Sequence, residues 1–242
     1  MRFKALVIGW LISTVPLSTL AAPGKDKDPQ IKPNNCYTSY SSIGITPDYV
    51  VTPIPTTAYQ YNRLSLAMQE AWTTGDRDLD GTIRICVEGG DKKSGPAIYL
   101  DNVNIPLDPW IGVTYGTGKE PISITSSTGP EFTIIQPHVV GTPAIFTTAI
   151  QYDRSLTIQG LQLRYGTALN GAGIQATGSY VVLKNMWFVG NVASGLGGGV
   201  YNKDGLMSVT DSLFLENTAS SGGGLSSYNG TLTTANNTVK GN

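Results

Sequence analysis

Charged residues are scarce in this chain of 242 residues, because they make up 14% of it against roughly 25% in an ordinary soluble domain. The 16 basic and 17 acidic residues leave a net charge of −1. A nucleic-acid-binding surface needs clustered Lys and Arg to displace counterions, so this balance excludes a broad one. Ser, Thr, Asn and Gly supply the polarity instead, and they favour strands and turns over solvated helices.

Long hydrophobic runs are missing beyond the N-terminus. There, Arg2 and Lys4 precede an apolar stretch over 5–12, Pro16 follows, and small residues permit cleavage after Ala21. This layout predicts a secretory signal peptide at 1–21. A transmembrane anchor is the weaker alternative, because the stretch is short and interrupted. We therefore expect an exported protein, extracellular or on the cell surface, with no transmembrane segment in the mature chain.

Cysteine is almost absent, since Cys36 and Cys86 are the only two. In an oxidising compartment such a pair favours a disulfide over two free thiols. The spacing carries no metal-site signature. We expect the bond to tie an extended, Pro- and Tyr-rich arm at 22–60 to the first strand of the core.

One helix and many short strands are predicted after the arm. Leu64, Met68 and Ala71 recur at helical spacing and indicate a short amphipathic helix over 62–72. Short apolar segments separated by turn residues follow, with no second helix. These segments predict an all-β domain over 61–242.

A repeat decides the architecture. Three glycine motifs and three asparagine motifs recur together in steps of 26 and 25 residues: Gly171–Ile174, Gly197–Val200 and Gly222–Leu225, and Phe188–Asn191, Phe214–Asn217 and Val239–Asn242. Three apolar columns keep the same step: Leu156, Val181, Met207 and Leu232; Ile158, Leu183, Val209 and Thr234; Leu163, Phe188, Phe214 and Val239. A repeat of this length without helices predicts a right-handed parallel β-helix of about six coils, with the helix as its N-terminal cap.

The asparagine column has a structural explanation. Asn tolerates the left-handed backbone conformation of a sharp corner, and its amide can bond to the same residue one coil away. We therefore interpret Asn191, Asn217 and Asn242 as a structural ladder. The glycines permit tight bends and close stacking of backbones.

The paired glycine and F-x-x-N motifs over 171–242 resemble the repeats of the polymorphic outer-membrane proteins, which are autotransporter adhesins, and of related bacterial surface proteins. The upstream helix and the segment Thr82–Val87 are similar, more loosely, to the N-terminal cap of pectin-lyase-like β-helices. The resemblance implies a surface β-helix with an adhesin-like role. A partner would then be an extracellular glycan or a host or cell-surface protein.

An acidic loop is a candidate Ca²⁺ site. Asp76, Asp78 and Asp80 alternate before Gly81, as in the first half of a calcium-binding loop, with Thr82 and Glu88 as further oxygen ligands. Glu88 stands one residue later than the bidentate ligand of an EF-hand. A solvated turn is an equally good interpretation, so Ca²⁺ is a possible cofactor and none is required.

Catalytic patterns are weak. His138 is the only histidine and follows Pro137, so we interpret it as a surface residue. A glycosidase would need two carboxylates about 5–10 Å apart, and no column of the repeat collects acids. The first hypothesis is a non-catalytic, adhesin-like or structural binding module. The second is a polysaccharide lyase or glycoside hydrolase of the pectin-lyase-like group.

Outward apolar residues form one further candidate site. If Met186 and Phe188 point inward, then Trp187 and Val189 point outward, as do Leu213 and Leu215 one coil later. Stacked apolar residues on an outer face predict a contact patch, unless a loop or the arm covers them.

The last coil carries an expectation about the length of the protein. Leu225, Leu232 and Val239 would lie at an open end, where a solenoid needs a polar terminal unit. We expect further coils or an anchoring domain downstream of Asn242. The competing interpretation is that the solenoid ends with this coil, which Thr234 and Asn237 make more polar.

Overall fold

Short parallel strands are the main regular element of the structure. We describe residues 36, 47–53, 60–76, 80–105, 120–138, 144–149 and 154–242 of a computed structural model. One helix, α1, spans Leu64–Thr74 and so begins two residues later than predicted. The predicted signal peptide and most of the arm lie outside the described residues. No helix in the described ranges has the length and apolar character needed to cross a membrane.

The strands form four sheets whose neighbours all run parallel. The eight-stranded sheet holds β1 (Tyr49–Val51), β2 (Gln60–Tyr61), β3 (Ile83–Val87), β6 (Ile122–Ser126), β9 (Ser155–Gln159), β13 (Tyr180–Lys184), β17 (Leu206–Thr210) and β20 (Thr231–Ala235). The six-stranded sheet holds β4 (Ala97–Leu100), β7 (Thr133–Gln136), β10 (Gln162–Arg164), β14 (Trp187–Val189), β18 (Leu213–Leu215) and β21 (Thr238–Lys240). The five-stranded sheet holds β5 (Val103–Ile105), β8 (Phe146–Thr148), β12 (Ile174–Thr177), β16 (Val200–Lys203) and β19 (Leu225–Tyr228), and the two-stranded sheet holds β11 (Thr167–Ala168) and β15 (Val192–Ala193).

The strand register confirms the predicted apolar columns. Leu183 pairs with Ile158 on one side and with Val209 on the other. Phe188 lies between Leu163 and Phe214. Because each strand pairs with the strand one repeat later, equivalent residues stack, and alternate side chains enter one continuous core. This arrangement is that of a β-solenoid.

Aromatic stacking continues through the core. The rings of Phe188 and Phe214 are both fully buried and lie nearly parallel, with an interplanar angle of 11° and centroids 4.8 Å apart. That separation equals the spacing between paired strands, about 4.8 Å. The stack therefore follows directly from placing Phe at the same position of successive repeats.

The arm contributes more order than the sequence predicted. Tyr49–Val51 is a buried strand that joins the eight-stranded sheet, with Tyr49 opposite Ile85 and Val51 opposite Val87. The expectation of an extended arm over 22–60 did not include this pairing with the core. The run is three residues long and shows no periodicity of its own. It is a strand because the neighbouring strand β3 supplies its hydrogen bonds.

Helix α1 packs its apolar face on the first repeats. Leu64, Ala67, Met68 and Ala71 are all buried in the main core, as the sequence predicted. The residue before the helix, Arg63, makes no side-chain capping bond. A carboxylate from another segment supplies the cap.

That carboxylate belongs to Asp101, which directly follows β4. Its two oxygens accept hydrogen bonds of 2.7 Å from the backbone N–H and from the hydroxyl of Ser65, in the first turn of α1. A negative charge here also interacts favourably with the helix dipole. Asp101 therefore couples the position of the helix to the end of a strand 36 residues later.

We expect Asp101→Ala to lower the free energy of unfolding by about 1–2 kcal/mol, the usual cost of losing a helix N-cap. Asp101→Asn should cost less, because an amide oxygen still accepts one of the two bonds. Denaturant unfolding of both variants measures the difference. An Asp101→Ala protein as stable as the parent would show that the cap contributes nothing.

Candidate functional site

The disulfide is present. Cys36 and Cys86 are bonded, with their Cα atoms 5.8 Å apart, and both are fully buried beside Val50. This confirms the predicted pairing and attaches the arm to β3. Such a bond is typical of proteins from oxidising compartments.

A buried amide ladder runs along the asparagine column. The side-chain oxygen of Asn217 accepts from the backbone N–H of Asn191 at 3.1 Å and from its amide at 2.9 Å. The oxygen of Asn242 accepts from Asn217 in the same way, at 2.9 and 2.7 Å. Each amide also donates to a backbone carbonyl, as Asn217 does to Phe188 at 3.0 Å. We interpret these contacts as structural, because the side chains of Asn191 and Asn217 are buried.

The left-handed corner lies one residue before the ladder. Positive φ angles occur at Gly190, Glu216 and Gly241, and at Tyr165 in the preceding repeat. The prediction that the asparagines themselves adopt this conformation is therefore wrong. The amides instead satisfy backbone N–H and C=O groups that the bend removes from the sheet ladders, which buried backbone groups require.

The acidic loop is engaged in contacts within the chain. One oxygen of Asp76, which is buried, accepts from the N–H of Gly81 at 2.6 Å. Asp80 forms an ion pair with Arg84 and accepts from the N–H of Thr82 at 3.1 Å. Asp78 lies outside the described residues.

A Ca²⁺ ion in this loop would compete with Arg84 for the carboxylate of Asp80. The positively charged guanidinium of Arg84 lies next to the carboxylate of Asp80. Within the described ranges, no three His, Cys, Asp or Glu side chains cluster as a metal site would require. Ca²⁺ binding stays a prediction, and the solvated turn accounts for the contacts that the structure shows.

Glu88 has a role in the fold through its backbone. Its carbonyl oxygen accepts from the hydroxyl of Tyr99 at 2.6 Å, and that hydroxyl also lies 3.3 Å from the carbonyl of Val51. Burial, and secondarily the negative charge of Glu88, raise the pKa of Tyr99 far above its ordinary value. The phenol therefore stays protonated and fastens two strands, and is not available as an acid–base group.

The predicted contact patch lies on the outer face of the six-stranded sheet. Trp187 pairs with Leu213 and Val189 pairs with Leu215, so the four side chains stack in two columns. All four are half-buried, whereas Phe188 between them is fully buried. This alternation places them on the outside of the sheet, as the sequence predicted.

The apolar character of this face continues at the other end of the sheet. Ile98 and Leu100 on β4 are 48% and 51% exposed, while Tyr99 between them is buried. Ile98 pairs with Ile134 in the same outward column. Sequence reasoning missed these two residues, although the alternation within Ala97–Leu100 is the signal that could have found them. We call the set Ile98, Leu100, Trp187, Val189, Leu213 and Leu215 the apolar face.

Cationic side chains border the apolar face. Arg164 pairs with Val189 and lies with its guanidinium carbon 5.3 Å from the ring centre of Tyr165, which is 57% exposed. Lys240 pairs with Leu215 on the other side and is exposed. An aromatic ring, a guanidinium and stacked apolar side chains together form a surface that can hold an extended ligand by stacking and hydrogen bonding.

Carboxylates on the outer surface of the last repeats stand apart from one another. Asp204 bonds to the amide of Asn229 at 2.7 Å and Asp211 to the amide of Asn236 at 3.2 Å. Each acid thus faces an amide in the next repeat. The histidine, His138, is exposed, and its backbone N–H donates to the side-chain oxygen of Asn102 at 3.0 Å.

No protein-family model, curated protein or solved structure matches this chain. The resemblance of its repeats to those of surface adhesins therefore stays a prediction.

Proposed function

We propose that this chain is an exported, non-catalytic binding module of the adhesin-like kind. In this proposal the parallel sheets close into a right-handed β-helix of about six coils, and the apolar face contacts the partner. The partner is an extracellular glycan or a protein on a cell surface. The resemblance of the repeats to those of surface adhesins agrees with this class of function.

The apolar face is the observation that carries the proposal. Trp187, Val189, Leu213 and Leu215 are half-buried on adjacent strands, and Ile98 and Leu100 are about half exposed at the other end of the same sheet, beyond β7 and β10. Isolated exposed apolar residues are ordinary, but apolar residues stacked on adjacent strands of one face are typical of an interaction site. Tryptophan is also among the residues that contribute most to binding energy.

The rigidity of the scaffold supports a binding role. The backbone of the apolar face is fixed by parallel pairing on both sides of β14, by the Phe188–Phe214 stack beneath it and by the amide ladder at its end. A surface fixed in this way loses little conformational entropy when a ligand binds.

The outward acids give less support to hydrolysis or lyase chemistry. Asp204 and Asp211 each pair with an amide across repeats, and Glu216 stands one repeat away from Gly241. A glycosidase places two carboxylates opposite one another across its substrate. The described acids of these repeats are arranged as corner residues instead.

Binding of the purified full chain to a glycan array and to cultured cells tests the proposal. We expect Trp187→Ser to weaken binding by about tenfold or more, as truncating a central aromatic contact does. Tyr180→Ser is the matched control, because Tyr180 is 40% exposed on the eight-stranded sheet. It should leave binding unchanged.

Two results would overturn the proposal. The first is equal binding by the Trp187→Ser and parent proteins, with both equally stable to heat. The second is turnover of a polysaccharide that is abolished by changing one of the acids, such as Asp211→Asn. That result would favour the polysaccharide lyase or hydrolase.

A further inference from the structure

Strand β4 is the first strand of the six-stranded sheet, and it pairs with β7 along one edge. Its other edge has no strand beside it among the described residues. The eight-stranded sheet continues beyond β3 through β1 and β2, and in the five-stranded sheet helix α1 packs against β5. At this end of the solenoid, β4 therefore combines an unpaired edge with exposed apolar side chains.

The open edge presents the backbone of Ile98 and Leu100. The N–H of Ala97 donates to the carbonyl of Phe132 at 2.9 Å, so the backbone of Ala97 faces β7. Because alternate residues of a parallel strand bond to the same neighbour, Tyr99 faces β7 as well. Ile98 and Leu100 then direct two N–H donors and two C=O acceptors to the other side. The hydrogen bonds of the described residues include no partner for these four groups.

The side chains at the same two positions are apolar and exposed. Ile98 is 48% exposed and Leu100 is 51% exposed, while Tyr99 between them is buried. An exposed strand edge of this kind is a template for a further strand, and native proteins usually cover or charge such an edge. Pro96 has no N–H to donate and limits the open edge at its N-terminal end.

Basic side chains lie at both ends of β4. Lys92 and Lys93 are exposed in the turn before the strand, and Arg63 precedes the helix turn that Asp101 caps directly after the strand. None of the three basic residues forms an ion pair with another described residue. The nearby carboxylates are engaged, since Asp91 accepts three hydrogen bonds within its own turn and Asp101 caps the helix. The open edge is therefore flanked by positive charge.

We propose that β4 is the docking site for an extended, acidic segment of a partner protein, which adds to the six-stranded sheet as a further strand. The backbone of the segment bonds to Ile98 and Leu100, and its alternate apolar side chains contact theirs. Its acidic residues face Lys92, Lys93 and Arg63, which gives the complementary charge that selects a partner. The inference rests on the proposed function, because it takes the partner to be a protein and names how it is held.

Charge argues against a second copy of this chain as the occupant. Two-fold pairing of two β4 strands is antiparallel, so Lys92 and Lys93 of one copy would lie near Arg63 of the other. Like charges on paired strands are destabilising. An acidic segment forms the same backbone bonds without this repulsion.

Amide hydrogen exchange of the full chain, followed by NMR, tests the proposal with the end-blocked peptide Glu-Val-Glu-Val-Glu-Val-Glu as the probe. Without peptide, the N–H groups of Ile98 and Leu100 should exchange much faster than that of Tyr99. With the peptide at about ten times its Kd, the free fraction falls to about one eleventh, so exchange at both residues should slow about tenfold. The peptide with lysine in place of glutamate is the control and should give no protection at the same concentration.

Two variants separate the backbone from the side chains. Ile98→Pro removes one outward donor and keeps the bonds to β7, since proline is tolerated where a strand N–H faces solvent, and it should abolish the protection of Leu100. Leu100→Glu leaves the backbone unchanged and should weaken binding of the acidic peptide about tenfold, because it places like charges together. Leu206→Glu is the matched control, because Leu206 is 43% exposed on the eight-stranded sheet, and it should bind the peptide as the parent does.

Three results would overturn the proposal. One is protection of Ile98 and Leu100 without peptide that rises with protein concentration, which would identify a second copy as the occupant. Another is slow exchange at both residues at every concentration, which would show that the edge is already covered. The third is no protection by the acidic peptide, or the same protection in the parent, Ile98→Pro and Leu100→Glu proteins.

Trp187→Ser distinguishes this proposal from the proposed function. It should leave peptide binding unchanged, because β7 and β10 lie between β4 and β14. If the peptide binds at β4 while Trp187→Ser binds cells as the parent does, the proposed function fails and strand addition stands. If the peptide does not bind while Trp187→Ser weakens cell binding, strand addition fails and the proposed function stands.

Discussion

Replacing both cysteines by serine should lower the free energy of unfolding by about 4 kcal/mol. The bond between Cys36 and Cys86 closes a loop with a sequence separation of 50. In the chain-entropy model a loop of this length restricts the unfolded state by about that amount. The arm strand Tyr49–Val51 lies within the loop, so its pairing with β3 should weaken as well.

Denaturant unfolding of the Cys36→Ser/Cys86→Ser protein measures this loss. The parent protein in reductant is the matched control, and its midpoint should fall to that of the variant. Mass spectrometry after alkylation without reductant provides an independent check. Both cysteines should remain unalkylated, because the disulfide leaves no free thiol. Free, alkylated cysteines in the native protein would contradict the expectation.

Asn217→Ala should destabilise the protein by roughly 4 kcal/mol. Its side chain makes four hydrogen bonds: two accepted from Asn191, one donated to Phe188 and one donated to Asn242. Each contributes about 1 kcal/mol net, and the partners left behind are buried groups that water does not reach easily. The loss should spread over two repeats, because the ladder joins them.

Asn236→Gly is the control for the ladder, because glycine adopts the φ of 54° at this position without strain. This asparagine also lies one repeat above a polar partner, but its amide is exposed and makes one bond, of 3.2 Å, to Asp211. Exposed substitutions of this kind change stability by about 0.5 kcal/mol or less. Equal effects of the two substitutions would show that the ladder is no more important than a surface contact.

Strand register was the feature most accessible from the sequence. Apolar residues recur at the positions equivalent to Leu183 and Phe188, and the step between them matches the pairing of β13 and β14 with their neighbours. A local pattern that is weak in one unit becomes recognisable when it is repeated, because the same position must satisfy the same packing in every unit. The disulfide was accessible for a simpler reason, since Cys36 had one possible partner.

Features that depend on a distant partner were not accessible in the same way. Asp101 follows a strand and shows no capping pattern, yet it caps a helix that begins 37 residues earlier. Tyr49–Val51 is too short to be recognised as a strand without β3 beside it. Ile98 and Leu100 lie on the same face as Trp187 only because β7 and β10 join their strand, β4, to β14 in one sheet.

By itself the sequence determined the β-rich class, the repeat, the columns that fill the core and the cysteine pair, because each depends on residue type at a regular spacing. Tertiary structure alone decided which residue takes the left-handed corner. Glu216 carries the positive φ and Asn217 carries the hydrogen bonds, since the bend leaves backbone groups of adjacent repeats within reach of the amide.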